Sequence, residues 1–131
     1  MYTMKQICEA TGLSYETFKF YCNKGLIPNV KRDSNNRRVF DDRDLAWIKD
    51  LTCLKKCSMS IADMKEYLDL CLKGESSIPI RQNRLGEKKA ALLSQIDEIN
   101  ASIAYIDWKQ AFYEGVMIGE IDYISNLIST E

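Results

Sequence analysis

The sequence predicts a mainly α chain: a small head of short helices around a basic hairpin, then one long helix with a coiled-coil seam. Three observations carry this. Two short amphipathic segments are separated only by Gly12, Leu13 and Ser14, a spacing suited to a tight corner between helices. A turn cluster, Asp33-Ser34-Asn35-Asn36, lies between two cationic arms, Val30-Lys31-Arg32 and Arg37-Arg38-Val39-Phe40. From Leu85 to Ile106, apolar residues recur on a heptad-like seam.

The first helix opens at Thr3, whose spacing to Gln6 is that of a capping box, and buries Met4, Ile7 and Cys8. Gly12 stops it. Ser14 caps the next helix, "SYETFKFYCNKGLIP", which ends at Gly25 with Pro28 just beyond. Phe18 and Leu26 are expected in the core. This pair of helices suggests a helix-turn-helix, with Lys19 and Lys24 on its second member.

The hairpin that follows carries Lys31, Arg32, Arg37 and Arg38. Four cations make a poor core element but a good phosphate-contacting wing, because each guanidinium donates several N–H bonds. A solvated basic loop is the plainer alternative.

Asp41 caps a third helix, with Asp42 and Asp44 at its positive end. Its apolar positions are Leu45, Trp47, Ile48, Leu51 and Leu54. Ser60 and Asp63 repeat the capping-box spacing before "SIADMKEYLDLCLKG", with Ile61, Met64, Leu68 and Leu72 expected inward.

The expected boundaries are a winged helix-turn-helix head over 1–73, a linker over 74–78, a long helix over 79–113 and a short C-terminal helix or tail over 114–131. The linker reading rests on Gly74-Glu75-Ser76-Ser77. Leu85, Leu92, Ile96, Ile99, Ile103 and Ile106 form the seam of the long helix. A helix of about 35 residues extends about 50 Å, so its seam needs a partner of equal length. A second copy of the chain is the simplest one. In the tail, Ile118, Ile121, Ile124 and Leu127/Ile128 suggest one more amphipathic helix, from Val116 to Ile128.

With 131 residues, 46% hydrophobic and 28% charged, the chain has the size and composition of an ordinary globular protein. No apolar run approaches the roughly 20 residues that span a bilayer. The start lacks a basic-then-apolar leader pattern. Cytoplasmic residence away from membranes is expected. Cys8, Cys22, Cys53, Cys57 and Cys71 are odd in number and irregular in spacing, which does not describe a disulfide framework. Histidine is absent, and no nucleophile–base pair, metal cluster or Gly-rich phosphate loop replaces it. The sequence thus predicts no enzyme, no catalytic residue, no metal and no cofactor. Charge is asymmetric: residues 1–60 hold 11 Lys/Arg and 7 Asp/Glu, whereas residues 61–131 hold 7 and 12. A basic front half favours an anionic partner, nucleic acid first.

In this order the parts resemble the MerR family of bacterial transcriptional regulators. The residues that carry the resemblance are "TGLSYETFKFYCNKGLIP", "RRVF", "DDRDL" and "LKKCSMSIADMKEYL", across about residues 2–72. The chain departs from the family pattern at several places. Lys19 stands for Arg, Phe20 for the first Tyr, Cys22 for Glu, Asn36-Arg37 for Gly-Tyr, Phe40 for the last Tyr, and Ser58 for Gly. Lys19 keeps its charge but lacks the bidentate fork.

The resemblance implies that Ser14, Tyr15, Lys19 and Tyr21 face the major groove and its flanking phosphates. Arg38, aided by Lys31, Arg32 and Arg37, would grip the backbone from the wing. It further implies double-stranded promoter DNA as partner, an antiparallel homodimer on a palindrome, distortion of an overlong promoter spacer, and an indirect effect on RNA polymerase.

Metal-sensing relatives place cysteines after the dimer helix, where residues 80–131 have neither Cys nor His. Drug-sensing relatives carry a large C-terminal domain, for which fewer than 20 residues remain after the predicted long helix. A short subgroup responding to aldehydes and other electrophiles uses one cysteine in a Cys-Leu-Lys motif, which Cys53-Leu54-Lys55 matches. "IDWKQAFYE" also resembles that subgroup, with Lys109 and Tyr113 in matching places. Cys53 is thus a candidate sensor, with plain core packing as the alternative. Cys57 shares its face, but Cβ atoms at i,i+4 lie about 5–6 Å apart, beyond the roughly 3.5–4.5 Å a disulfide needs. The pair also offers too few ligands for tetrahedral zinc. Cys8, Cys22 and Cys71 are expected to be structural.

A rival reading is a coiled-coil protein-interaction module with a vestigial DNA-binding head. The clustered cations of residues 19–43 argue against it.

Overall fold

The helices begin at the capping residues the sequence offers. In the computed structural model, which describes residues 1–129, strand β1 (Tyr2–Thr3) leads into α1 (Met4–Thr11) and α2 (Tyr15–Asn23). The wing strands β2 (Lys31–Arg32) and β3 (Arg38–Phe40) precede α3 (Asp42–Lys56) and α4 (Ile61–Leu72). A 3-10 turn (Glu75–Ser77) then enters α5 (Ile78–Met117). Thr3 with Gln6, Asp41 with Asp44, and Ser60 with Asp63 all form reciprocal capping boxes, while Ser14 caps α2 through the Thr17 N–H. Each box satisfies two backbone donors that a helix start would otherwise leave open.

The chain divides into two compact units, residues 1–89 and 90–131. The core of the first joins α1, α2, the wing, α3 and α4 through Ile7, Phe18, Leu26, Phe40, Ile48, Leu51 and Met64. All seven are fully buried, each worth roughly 1.5–3 kcal/mol in apolar transfer. The Phe18 and Phe40 rings meet with centroids 5.0 Å apart, fixing the wing on the back of α2.

The wing is larger than a hairpin. β1 joins it, giving an antiparallel sheet of order β1-β3-β2 with Tyr2 opposite Phe40 and Arg32 opposite Arg38. Asp33 organises its tip, its Oδ1 accepting from the N–H groups of Asn35 and Arg37, both at 2.9 Å. Asn36 completes the turn at φ 59°, a left-handed conformation that Asn tolerates better than most residues.

The structure corrects four expectations. The stretch 74–78 is a bonded corner, not a spacer: Ser77 is buried, its single hydroxyl proton is shared between Leu70 O and Gly74 O, and its oxygen accepts from Arg81 Nε at 2.9 Å. Arg81 also bonds Gly74 O at 2.6 Å. The long helix runs over 78–117 rather than 79–113. The expected second helix from Val116 to Ile128 does not form: α5 closes at Gly119, φ 83°, and the Glu120 and Ile121 N–H groups return to Gly115 O. The tail assignment also includes Thr130 and Glu131, which lie outside the described residues. Leu72, expected inward, is exposed. Among the described residues no helix is long and apolar enough to cross a membrane.

Candidate nucleic-acid interface

A groove of about 520 Å³ opens between the start of α2, the start of α1 and the wing. Tyr15, Lys5, Arg32, Arg37, Arg38 and Asp33 are among its lining residues. The helix-turn-helix corner places Tyr15 there, on the first turn of α2, more than half exposed. β1 pairing with β3 brings in Lys5, which sequence reading did not select. That contact depends on a two-residue strand too short to leave a periodic signal.

The expected contact residues separate into two groups. Ser14, Tyr15, Lys19, Arg32 and Arg37 are exposed, and Arg38 is half-buried. The Ser14 hydroxyl already accepts from the Thr17 N–H and donates to Thr17 Oγ1 at 2.9 Å, so its first role is the cap. Tyr21 departs from expectation: it is only 3% exposed and belongs to the core. Burial raises its phenol pKa. Its ring is therefore fixed by the head helices, and any DNA contact from this residue is left to the hydroxyl.

Lys31 also departs from it. Its ammonium lies 2.8 Å from Asp41 and 3.4 Å from the buried Asp44, and it donates to Asn29 O. The hydrogen bond to Asp41 raises the Lys31 pKa, while Asp41 is lowered to about 2, first by Lys31 and then by the Asp44 N–H. The α3 capping box thus pairs this cation at the surface, where it stays 40% exposed, and offsets part of its charge. The arginines keep theirs. Arg32 Nη1 donates to the Asn36 carbonyl at 3.0 Å and Arg38 Nη2 to Asn23 Oδ1 at 2.7 Å, both neutral acceptors.

Away from the groove, Cys53 is exposed in the last turn of α3, and Cys57 is half-buried at the helix end. All five cysteines are free thiols. Burial raises the Cys8 and Cys22 pKa values; Arg38 and Arg32 only partly oppose this at Cys22. Cys53 is therefore outside the buried core of its own chain.

Residues 2–71 match the family described as MerR HTH family regulatory protein. The chain belongs to the MerR family. An HTH-type transcriptional regulator of Haemophilus influenzae is 34% identical over 113 residues, covering 86% of this chain and 84% of the relative. The HTH-type regulator AdhR of Bacillus subtilis is 32% identical over 88 residues, covering 67% and 63%. Among solved structures, HiNmlR, a MerR family regulator lacking the sensor domain and bound to promoter DNA, is 33% identical with a TM-score of 0.73, covering 90% of this chain and 94% of that one. A Listeria monocytogenes protein described as a MerR family regulator is 28% identical with a TM-score of 0.77, covering 90% and 89%. This MerR family chain is a DNA-binding transcriptional regulator and not an enzyme, and the rival interaction-module reading is set aside.

Proposed function

We propose that this MerR family regulator binds a palindromic promoter site as a dimer, distorts the spacer, and is controlled by thiol chemistry at Cys53. The observation that carries the DNA part is the groove that gathers Tyr15 with Arg32, Arg37 and Arg38 on neighbouring elements. Tyr15 addresses the major groove, and the arginines hold flanking phosphates through charge-assisted bonds. HiNmlR, bound to promoter DNA, supports the same assignment.

The dimer follows from the surface of α5. Leu85, Ile96, Ile99, Ile103 and Ile106 are each at least 38% exposed, and Leu92 is half-buried. An apolar seam of that length is stabilised by a matching seam, and an antiparallel second copy supplies it. Two heads on one duplex grip phosphates at both ends, which supplies energy to bend and untwist the promoter between them. RNA polymerase then senses the regulator through the altered promoter.

At Cys53 the sulfur adds to the carbonyl carbon of an aldehyde, the C=O π bond opens, and the thiol proton ends on the oxygen. The product is a reversible hemithioacetal that needs no further reactant. Exposure of Cys53, against half-burial of the other four cysteines, supports this choice.

The test is binding and transcription on the promoter upstream of the regulator's own gene. Arg38→Ala should weaken binding to all sequences and lower the salt slope by about two, one for each subunit of the dimer. Cys53→Ser should bind normally but lose the response to aldehyde. An unchanged salt slope sinks the wing assignment, and an equal aldehyde response in both proteins sinks the sensor.

A further inference from the structure

We propose that Asn23 is a positioning residue that holds the Arg38 guanidinium ready for the DNA backbone. The inference rests on the reading that Arg38 contacts phosphate. Asn23 is the last residue of α2, and its side-chain oxygen accepts from Arg38 Nη2 at 2.7 Å across 15 residues of sequence. The bond ties the wing strand β3 directly to the end of the helix that presents Tyr15.

The wing arginines are held differently. Arg32 bonds the wing's own Asn36 carbonyl. Arg37 makes no side-chain hydrogen bond or ion pair among the described residues. Arg38 instead reaches across to α2, where its charge also acts on the neighbouring Cys22 thiol. The end of a helix carries partial negative charge, which favours a cation there.

The acceptor's chemistry suits this task. A guanidinium has five N–H donors, so one bond to Asn23 leaves four for phosphate oxygens. Asparagine is neutral, so Arg38 keeps its full positive charge, unlike Lys31 between Asp41 and Asp44. Fixing a long side chain before binding removes an ordering cost worth about three- to tenfold in affinity. The same bond sets the spacing between the wing's phosphate contact and the groove contact of α2.

The test is a double-mutant cycle read by fluorescence anisotropy. The probes are a labelled duplex from the promoter upstream of the regulator's own gene and a scrambled duplex of equal length. Asn23→Ala should weaken binding to both about three- to tenfold, and should change nothing further in an Arg38→Ala background. Asn23→Gln, which keeps an acceptor, should recover part of the loss. Asn23→Asp should anchor Arg38 but cancel its charge, lowering the salt slope by about two, one for each subunit. The same loss from Asn23→Ala in both backgrounds would mean that Asn23 acts independently of Arg38 and overturns the proposal. So would wild-type affinity of Asn23→Ala when Arg38→Ala binds weakly. If Arg38→Ala itself leaves affinity and salt slope unchanged, the wing reading fails and the positioning role with it, a separate and recognisable result.

Discussion

The Lys31 ammonium stands 2.8 Å from the Asp41 carboxylate, and the same Asp41 opens α3 through its reciprocal cap with Asp44. One carboxylate therefore serves the wing and the helix start together. Its pKa lies at about 2 against an ordinary 3.8. A lowered carboxyl stabilises the fold above its unfolded value, and that contribution is lost as pH falls from about 4 to about 2. Asparagine caps a helix as well as aspartate does but carries no charge. Asp41→Asn should keep α3 intact while flattening the fall in melting temperature across that window. Circular-dichroism melts at pH steps from about 5 to about 2 check this. An identical fall in both proteins would place the acid sensitivity elsewhere.

Ser58 offers a stabilising change. It follows α3 at φ 64°, with its N–H on Lys55 O and the Met59 N–H on Leu54 O. This is the paired closure that usually employs glycine, and Gly25 and Gly119 occupy the equivalent places after α2 and α5. A side chain in the left-handed region costs roughly 1 kcal/mol. Ser58→Gly should therefore raise stability by about 0.5–1 kcal/mol, seen as a higher urea midpoint at unchanged m-value. A lower midpoint would mean that the flexibility gained by the unfolded chain outweighs the relieved strain.

The family pattern, read from sequence, has Gly where this chain has Asn36 and Ser58, and both residues adopt positive φ. Features of this kind were legible because each depends on a window of a few residues, as do the caps at Thr3, Ser14, Asp41 and Ser60. Features that depend on distant partners were not. The positive charge of Lys31 is plain in the sequence, but its pairing with a carboxylate ten residues away is not. β1 is two residues long and exists only through β3. The tail has helical apolar spacing, yet the turn at Gly119 redirects it.

Tyr15 and Tyr21 show how an aromatic-rich helix hides its buried face. The run "YETFKFY" places four aromatic rings within seven positions, so apolar spacing alone does not say which of them enter the core. The structure leaves Tyr15 exposed at the groove and buries Tyr21. Tyr21→Phe should keep the packing and leave DNA affinity near wild type, whereas Tyr21→Ala should cost about 3 kcal/mol of stability. Tyr15→Ala should leave the melting temperature unchanged and weaken DNA binding by about tenfold, the worth of a hydrogen bond to a charged group. Loss of affinity in a stable Tyr21→Phe would return that hydroxyl to the interface.

The thiols should react in an order set by exposure. Cys53 is open to solvent, whereas Cys8, Cys22, Cys57 and Cys71 are half-buried, and burial raises the pKa values of Cys8 and Cys22. A raised thiol pKa leaves less thiolate, the species that attacks. Native protein without DNA should therefore show one fast phase with Ellman's reagent followed by slower ones. Cys53→Ser should lack the fast phase. Unfolding in urea should release all five thiols at similar rates. A fast phase that survives in Cys53→Ser would assign the reactive position to another cysteine and remove the structural ground for placing the sensor on α3.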